Sequence, residues 1–391
     1  MSRNDNDPSS LHPATRLIRS GRDGDLTGPF VNPPVVHAST VLFDTVANMR
    51  PGGQRYGYGR QGTPTIEALE QAVSELEGAA GAVLCPSGLN AVSTALLSVL
   101  ASGDHLLMAD NVYGPSRDLA KSVLARLGIE TTFFDPRDID ALPSHFRHNT
   151  RAVYVESPGS LTFEMTDIPK VAAIAHQRGA RVIADNTWAT PLLFRPLQAG
   201  ADLAVVAGTK YLSGHSDVMI GTVAAAPDSW SQLKATHQAL GLCVGPDDIY
   251  LTLRGLRTMA VRLERHQKTA LALAQFLKGR PEVERVLYPA LSDDSGHAIW
   301  QRDMSGASGL FGVVFAGWSG EKTAVFLEAL RLFGLGYSWG GFESLAIPAH
   351  LHRSAMAMPP QAALIRLHAG LEDADDLIAD LTQAFTVVAE L

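Results

Sequence analysis

The sequence predicts an α/β fold, a mostly parallel sheet sandwiched by helices with a smaller α+β C-terminal domain. Three observations carry this expectation. Short, continuously apolar runs alternate with helical patterns from about residue 65 onward, as parallel strands covered on both faces require. The chain has 391 residues, 46% hydrophobic and 18% charged, which exceeds the usual size of one core. Past about residue 255 the strand–helix alternation loosens into a mixture. The expected division is an N-terminal arm over 1–60, a large domain over 61–255 and an α+β domain over 256–391.

Taken in order, residues 13–64 are rich in Gly, Pro and Asn (GPFVNPPVVHAST, RPGGQRYGYGRQGTPT) and read as an extended arm lying against something, a neighbouring subunit being a candidate. TIEALEQAVSELEG places Ile66, Leu69, Val73 and Leu76 on one helical face, with Gly78 as the stop. GAVLC is a strand, PSG a turn and LNAVSTALLSVL a helix. HLLMAD, ETTFF, RAVYVES, RVIADN and DLAVVAG are further strands, with SRDLAKSVLARLG and IPKVAAIAHQRG as helices between them, and VMIGTVAA ends the series. The stretch 254–279 reads as one long amphipathic helix. GLFGVVFAG and AALIRLHAG are strands of the last domain, and EKTAVFLEALRLF and ADDLIADLTQAFTVV its helices.

The formal charge of −8, with no basic block, argues against nucleic acid or an anionic membrane as partner. The two cysteines, Cys85 and Cys243, read as reduced buried thiols rather than a disulfide or a zinc cluster, and no metal site is expected. No signal core and no run of 18 apolar residues occurs, so a cytoplasmic location is expected, with the first dozen residues loose.

Ligands of open α/β sheets gather at the carboxyl ends of strands. Ser87-Gly88, Asp110, Tyr113, Glu156, Asp185-Asn186 and Thr209-Lys210 all fall there. A carboxylate, a lysine, an aromatic ring and an anion cradle suit pyridoxal phosphate better than other common cofactors. Each residue keeps a plainer reading. Lys210 is either a solvated strand cap or an amine, partly desolvated, that holds an aldehyde and moves a proton. Asp185 caps a loop or pairs with a pyridine nitrogen. Ser87 is an N-cap or, with the free N–H groups of Gly88 and Leu89, a phosphate site. Tyr113 packs at the sheet edge or stacks on a planar ring. Arg366, between apolar neighbours, needs an anion: an internal acid or a substrate carboxylate. Trp339 is a core residue or the wall of a pocket. GYGRQG, 57–62, matches a dinucleotide fingerprint but lacks the preceding strand and the later acid.

TKYLSGHSD, VIADNTW, YGYGRQGTPT, CPSGLNA, NVYGPS, SWGGFESL and LIRLHAGLED together make the whole chain resemble the Cys/Met-metabolism pyridoxal phosphate-dependent enzymes. The resemblance implies an aspartate aminotransferase-like (type I) fold, pyridoxal 5'-phosphate as cofactor, and a homotetramer built as a dimer of dimers. It makes Lys210 the Schiff-base lysine and Asp185 the pyridine partner. Tyr113 then stacks on the ring, and Ser87, Gly88, Leu89 and Thr209 serve the phosphate. Tyr58 and Arg60 reach the neighbouring subunit's cofactor, and Arg366 with Ser338 binds the substrate α-carboxylate. YGRQGTPT, SWGGFESL and Trp339 look most like the bacterial cystathionine β-lyase branch. That implies α,β-elimination of a sulfur amino acid, with Lys210, Tyr113 and Tyr58 as catalytic candidates; γ-elimination or γ-replacement, or a broader cysteine-conjugate lyase, is the alternative. Pro115 stands where methionine γ-lyases tend to carry cysteine. Ala207 replaces a frequent phosphate-binding serine, leaving more to Ser87, and Leu89 replaces a frequent methionine while sparing the backbone N–H.

Overall fold

The computed structural model describes residues 11–358 and 363–390. The loose N-terminus expected from sequence falls mostly on residues 1–10, outside that range. Strands β1 (Gly81–Cys85), β2 (His105–Ala109), β3 (Glu130–Phe134), β4 (Thr150–Glu156), β5 (Arg181–Asp185), β6 (Leu203–Val206) and β7 (Gly221–Ala225) form one sheet in the order β1-β7-β6-β5-β4-β2-β3. All its pairings are parallel except those of β7, which runs antiparallel between β1 and β6. Sequence order suggested that β7 closes the series; in space it is interior. Every residue of β1, β2 and β7 is buried, which explains their unbroken apolar runs.

A second sheet contains β8 (Val283–Leu287), β9 (Leu310–Phe315), β10 (Gly334–Leu335), β11 (Leu345–Pro348) and β12 (Leu364–His368) in the order β10-β11-β12-β9-β8. It is antiparallel apart from β10–β11. One apolar core runs through both sheets, including Val155, Ala184, Phe311 and Leu367. A second core, with Leu69, Val73, Tyr211 and Leu253, lies under the helix Pro64–Glu77. That helix starts where sequence placed it: Thr63 Oγ1 accepts the Ile66 amide, Pro64 follows, and Gly78 ends it at φ 70°.

Three expectations need correction. The helix read as continuous over 254–279 is two, Pro246–Leu256 and Met259–Lys278. A Cβ on Gly255 would lie 2.1 Å from the Ser213 carbonyl oxygen, so the first helix is pressed against the Lys210 loop. The chain turns through Thr258 (φ −109°, ψ 2°) before starting again. The arm is not loop throughout: Pro13–Arg19 is helical and buries Leu17 in the second core, while Phe30, Leu42 and Val46 beyond it are exposed. Cys85 is buried as expected, but Cys243 is exposed, because it sits in the surface connection between the helices Pro227–Ala239 and Pro246–Leu256.

The segment before β12 is clasped to the large sheet by Asp110, just past β2. Its buried carboxylate takes a 2.5 Å ion pair from Arg117 and the amides of Ser354, Ala355 and Met356 at 2.7–2.9 Å. Burial alone would raise its pKa, yet these amides and Arg117 outweigh it and the pKa lies below the ordinary value. Its contribution to stability is therefore present above the unfolded-state pKa and is lost as pH falls through the folded one. Asp110→Ala leaves Arg117 buried and unpaired, so the expected loss is about 3–5 kcal/mol in denaturant unfolding at pH 7, shrinking on acidification. A change within about 0.5 kcal/mol would mean that the clasp is dispensable.

Candidate active site

Lys210 lies four residues past β6 in a tight turn, its amide donating to Ala207 O (3.0 Å) and its carbonyl accepting from Gly214 N (2.8 Å). The side chain is only partly exposed, and Nζ stands 5.5 Å from the centre of the Trp339 ring. Burial, then the charge of Arg366, push its pKa down to about 8, while Asp185 and Glu156 pull the other way. The plain solvated strand cap does not match these surroundings: the lowered pKa leaves a far larger neutral fraction of the amine near pH 7–8 than a solvated lysine has, as capture of an aldehyde requires.

Asp185 ends β5 almost fully buried. It accepts from Thr187 Oγ1 (2.6 Å), the Thr187 amide (3.0 Å) and Tyr154 OH (3.2 Å). Burial still raises its pKa despite those donors, and no cation pairs with it directly among the described residues. Thr187 Oγ1 also accepts the Ala207 amide at 2.9 Å, tying Asp185 to the Lys210 turn. Glu156 ends β4 directly opposite Asp185 and accepts the Tyr113 amide at 2.7 Å. Tyr113 begins the helix Gly114–Leu119 with its ring 45% exposed, and its hydroxyl pKa is raised by burial and then by Glu156.

Ser87 is the N-cap of the helix Gly88–Leu97, its Oγ accepting the Asn90 amide at 3.1 Å. The Ala91 amide goes to Ser87 O, so Gly88 and Leu89 keep the two free N–H groups of the first turn. A Cβ on Gly88 would lie 2.5 Å from the Ala207 Cβ, so only glycine lets this helix start approach the Lys210 turn. The Thr209 hydroxyl donates to Ile220 O (3.1 Å) and accepts Ile220 N (3.0 Å), so its proton is engaged with the main chain.

From the second sheet, Arg366 on β12 is 9% exposed and donates to Ser338 O at 2.8 Å. No salt bridge joins it to an internal acid among the described residues, and burial lowers its pKa to about 10. It is a buried cation lacking an anion. Ser338 adopts φ 71°. Gly340 at φ 87° packs so close that a Cβ would lie 3.0 Å from the Lys210 carbonyl carbon. His368, two residues beyond Arg366, accepts the Gly340 amide at Nε2 (3.1 Å). Trp339 meets Tyr211 edge-on at 5.4 Å and packs against both cores.

These residues fit a phosphorylated pyridine aldehyde: two free amides and a serine at a helix start, a buried carboxylate, a near-neutral amine and a ring at the mouth. Tyr58 and Arg60 are not brought in by this chain. Tyr58 is 43% exposed, Arg60 stacks 5.8 Å from its ring, and Arg60 donates to Gln238 O at 3.3 Å. Sequence reasoning gave no role to Tyr154, Thr187 or His368; Thr187 and His368 lie two residues past Asp185 and Arg366, which is the available signal, whereas Tyr154 reaches Asp185 only across the sheet. A cavity of about 580 Å³ bordered by Arg137, Glu164 and Arg285 contains none of the site residues, so chemistry rather than volume locates the site.

A model of the "Cys/Met metabolism PLP-dependent enzyme" family matches residues 14–386. The chain is 50% identical over 380 residues to a putative cystathionine beta-lyase of Rhizobium johnstonii, covering 96% of each chain. It is 45% identical to a cystathionine beta-lyase of Bordetella avium, covering 97% of this chain and 98% of that one. A crystal structure of metB from Corynebacterium glutamicum superposes with a TM-score of 0.89 at 34% identity, covering 97% of this chain and 99% of that one.

The reactivity of Lys210 tests the geometry directly. In cofactor-free protein, formaldehyde–borohydride methylation at Lys210 should rise with pH to a midpoint near 8, since only the neutral amine attacks. Arg366→Met should move that midpoint upward, because the guanidinium lowers it. Peptide mass spectrometry across pH reads both; a midpoint shared with the surface lysines would refute the desolvated amine.

Proposed function

The chain belongs to the Cys/Met metabolism PLP-dependent enzyme family, and from that premise we propose that it is a cystathionine β-lyase, converting L-cystathionine and water to L-homocysteine, pyruvate and ammonia. The observation that carries the proposal is the Lys210 amine, depressed toward neutrality between Asp185 and Arg366 and faced by Trp339, in a chain alike over nearly its full length to cystathionine beta-lyases.

Bound pyridoxal 5'-phosphate, the family's cofactor, withdraws electrons from the substrate Cα. The chain's residues do the rest. Lys210 would hold the cofactor's aldehyde, and its Nζ, with its pKa lowered to about 8, would take the Cα proton as general base. Asp185 keeps the pyridine nitrogen protonated, with Thr187 and Tyr154 holding the carboxylate in place. Gly88 and Leu89 amides, with Ser87, hold the phosphate; Thr209 joins them only by releasing Ile220 O. Arg366 takes the α-carboxylate bidentately as its missing anion, and Ser338 lines that end. Trp339 walls the distal side of the pocket. As the Cβ–S bond breaks, the thiolate leaves with a proton from Lys210 or Tyr113, and water completes the conversion to pyruvate and ammonia.

Two further readings belong to this proposal. Tyr58 and Arg60 complete the site of a second copy, in a homotetramer built as a dimer of dimers: their contacts within the chain lie away from Lys210, and the apolar arm residues Leu42 and Val46 are 87% and 82% exposed. The chain divides functionally into the arm over 1–60, the cofactor domain over 61–255 and the C-terminal domain over 256–391, and acts in the cytoplasm on a small-molecule substrate. No helix among the described residues is long and apolar enough to cross a membrane.

Incubated with L-cystathionine, the purified enzyme should release pyruvate as the main keto acid, and Lys210→Ala should release none above background. Identification of the keto acid by chromatography checks this, and 2-oxobutyrate as the main product would overturn the β-lyase reading. The shared site has its own test. Arg60→Ala and Lys210→Ala subunits, refolded together, put both lesions in one site of a mixed dimer and neither in the other. With inactive parents and random pairing, about a quarter of wild-type activity should return. Hybrids that show only the sum of the parents' activities would place Arg60 in its own subunit's site.

A further inference from the structure

Two carboxyl groups end adjacent parallel strands in exact register, Glu156 on β4 and Asp185 on β5. Side chains at paired positions of one sheet point to the same side, so the two groups share one polar pocket. Ionising both there is costly. The donors around them decide which keeps the charge. Asp185 receives three hydrogen bonds, from Thr187 Oγ1, the Thr187 amide and Tyr154 OH, and these favour the anion. Glu156 receives one, from the Tyr113 amide at 2.7 Å.

That single bond has a structural consequence. Tyr113 begins the helix Gly114–Leu119 without a side-chain cap and is 45% exposed, so its main-chain bond to Glu156 bears more on its position than it would for a fully buried residue. The Glu156 carboxyl is what ties the Tyr113 main chain to the sheet beside Asp185. We infer that Glu156 serves as a neutral carboxyl group that positions Tyr113, leaving the negative charge of the pair on Asp185. The electrostatics agree. Burial, then the Asp185 charge, raise the Glu156 pKa well above the ordinary carboxyl value, and the Tyr113 amide, Arg353 and Lys210 only partly oppose them. Arg353 is itself engaged by Ser160 O (3.1 Å) and Thr162 Oγ1 (2.9 Å), and burial and Arg366 draw the Lys210 pKa down to about 8, which weakens its hold on a nearby anion.

The inference rests on the Lys210-centred site proposed above and is tested in the full-length holoenzyme. Glu156→Gln is close in shape, uncharged, and keeps an oxygen for the Tyr113 amide. Glu156→Ala removes that oxygen. Both are compared with wild type in KM and kcat for L-cystathionine, and in the pH midpoint of the bound cofactor's visible band. Glu156→Gln should retain the wild-type KM and hold the midpoint within about 0.3 pH unit. Glu156→Ala should raise KM about fivefold, the worth of one neutral hydrogen bond, with a smaller change in kcat. A midpoint lowered by about one unit or more in Glu156→Gln would show that an anion had been removed, and would overturn the inference. So would a KM raised equally in both variants, or left unchanged in Glu156→Ala. If Glu156→Ala does not fold, the midpoint and KM of Glu156→Gln decide alone. A wild-type protein with no cofactor band reducible by borohydride at Lys210 would overturn the site and this inference together; with that band present, the variant results bear on Glu156 alone.

Discussion

The structure depends on keeping one lysine amine out of water between charges of opposite sign. Lys210 is pushed toward its neutral form by burial and by Arg366, and drawn back chiefly by Asp185. Neither influence alone would do. An unopposed carboxylate would keep the amine protonated and unreactive, and an unopposed guanidinium would make the turn too costly to bury. The opposing groups come from different sheets: the Asp185 carboxylate from the end of β5, the guanidinium from β12. The lowered pKa of Lys210 is thus a property of how the two sheets meet.

Several features exist to hold that meeting in place. On β12 the alternating residues Arg366 and His368 face the same side and grip one loop, Arg366 through Ser338 O and His368 through the Gly340 amide. The loop accepts left-handed backbone at Ser338 and Gly340, and Gly340 lies so close to the Lys210 main chain that a side chain there has no room. Beneath it, the rings of Tyr211, His266 and His368 pack within 5.1–6.0 Å of one another. Burial lowers the pKa of His266 to about 4 and of His368 to about 3, so both stay neutral and the His368 acceptor remains available at working pH. Arg262 donates Nη2 to Tyr211 O and Gly255 O at 2.8 Å and Nε to the Thr258 hydroxyl at 3.1 Å, tying the residue after Lys210 to the long helix. It is a buried cation with no acid paired to it among the described residues.

Such a site is expensive to fold. Among the described residues Arg366 has no internal anion, Asp185 has no direct cation, and Glu156 lies beside another carboxyl group. A ligand that supplied the missing charges would stabilise the fold as it bound. The surrounding apolar cores and the Asp110 clasp carry that cost.

Much of this was legible along the chain. The helix over 64–77, the buried strands and the strand-end positions of Ser87, Tyr113, Asp185 and Lys210 follow from periodicity, capping residues and apolar runs, all of which are set within a few residues. What local pattern does not encode, only the tertiary structure decided. It put β7 between β1 and β6, set Glu156 against Asp185, and brought Arg366 and Trp339 to Lys210 across more than a hundred residues of sequence. It split the helix read over 254–279 at Thr258, with Gly255 pressed against the Lys210 loop, and it gave Arg60 a contact with Gln238 O. The reason is physical. Burial and periodicity are averages over a short window, whereas the charge state of a buried amine depends on which distant groups the strand order brings within a few ångströms.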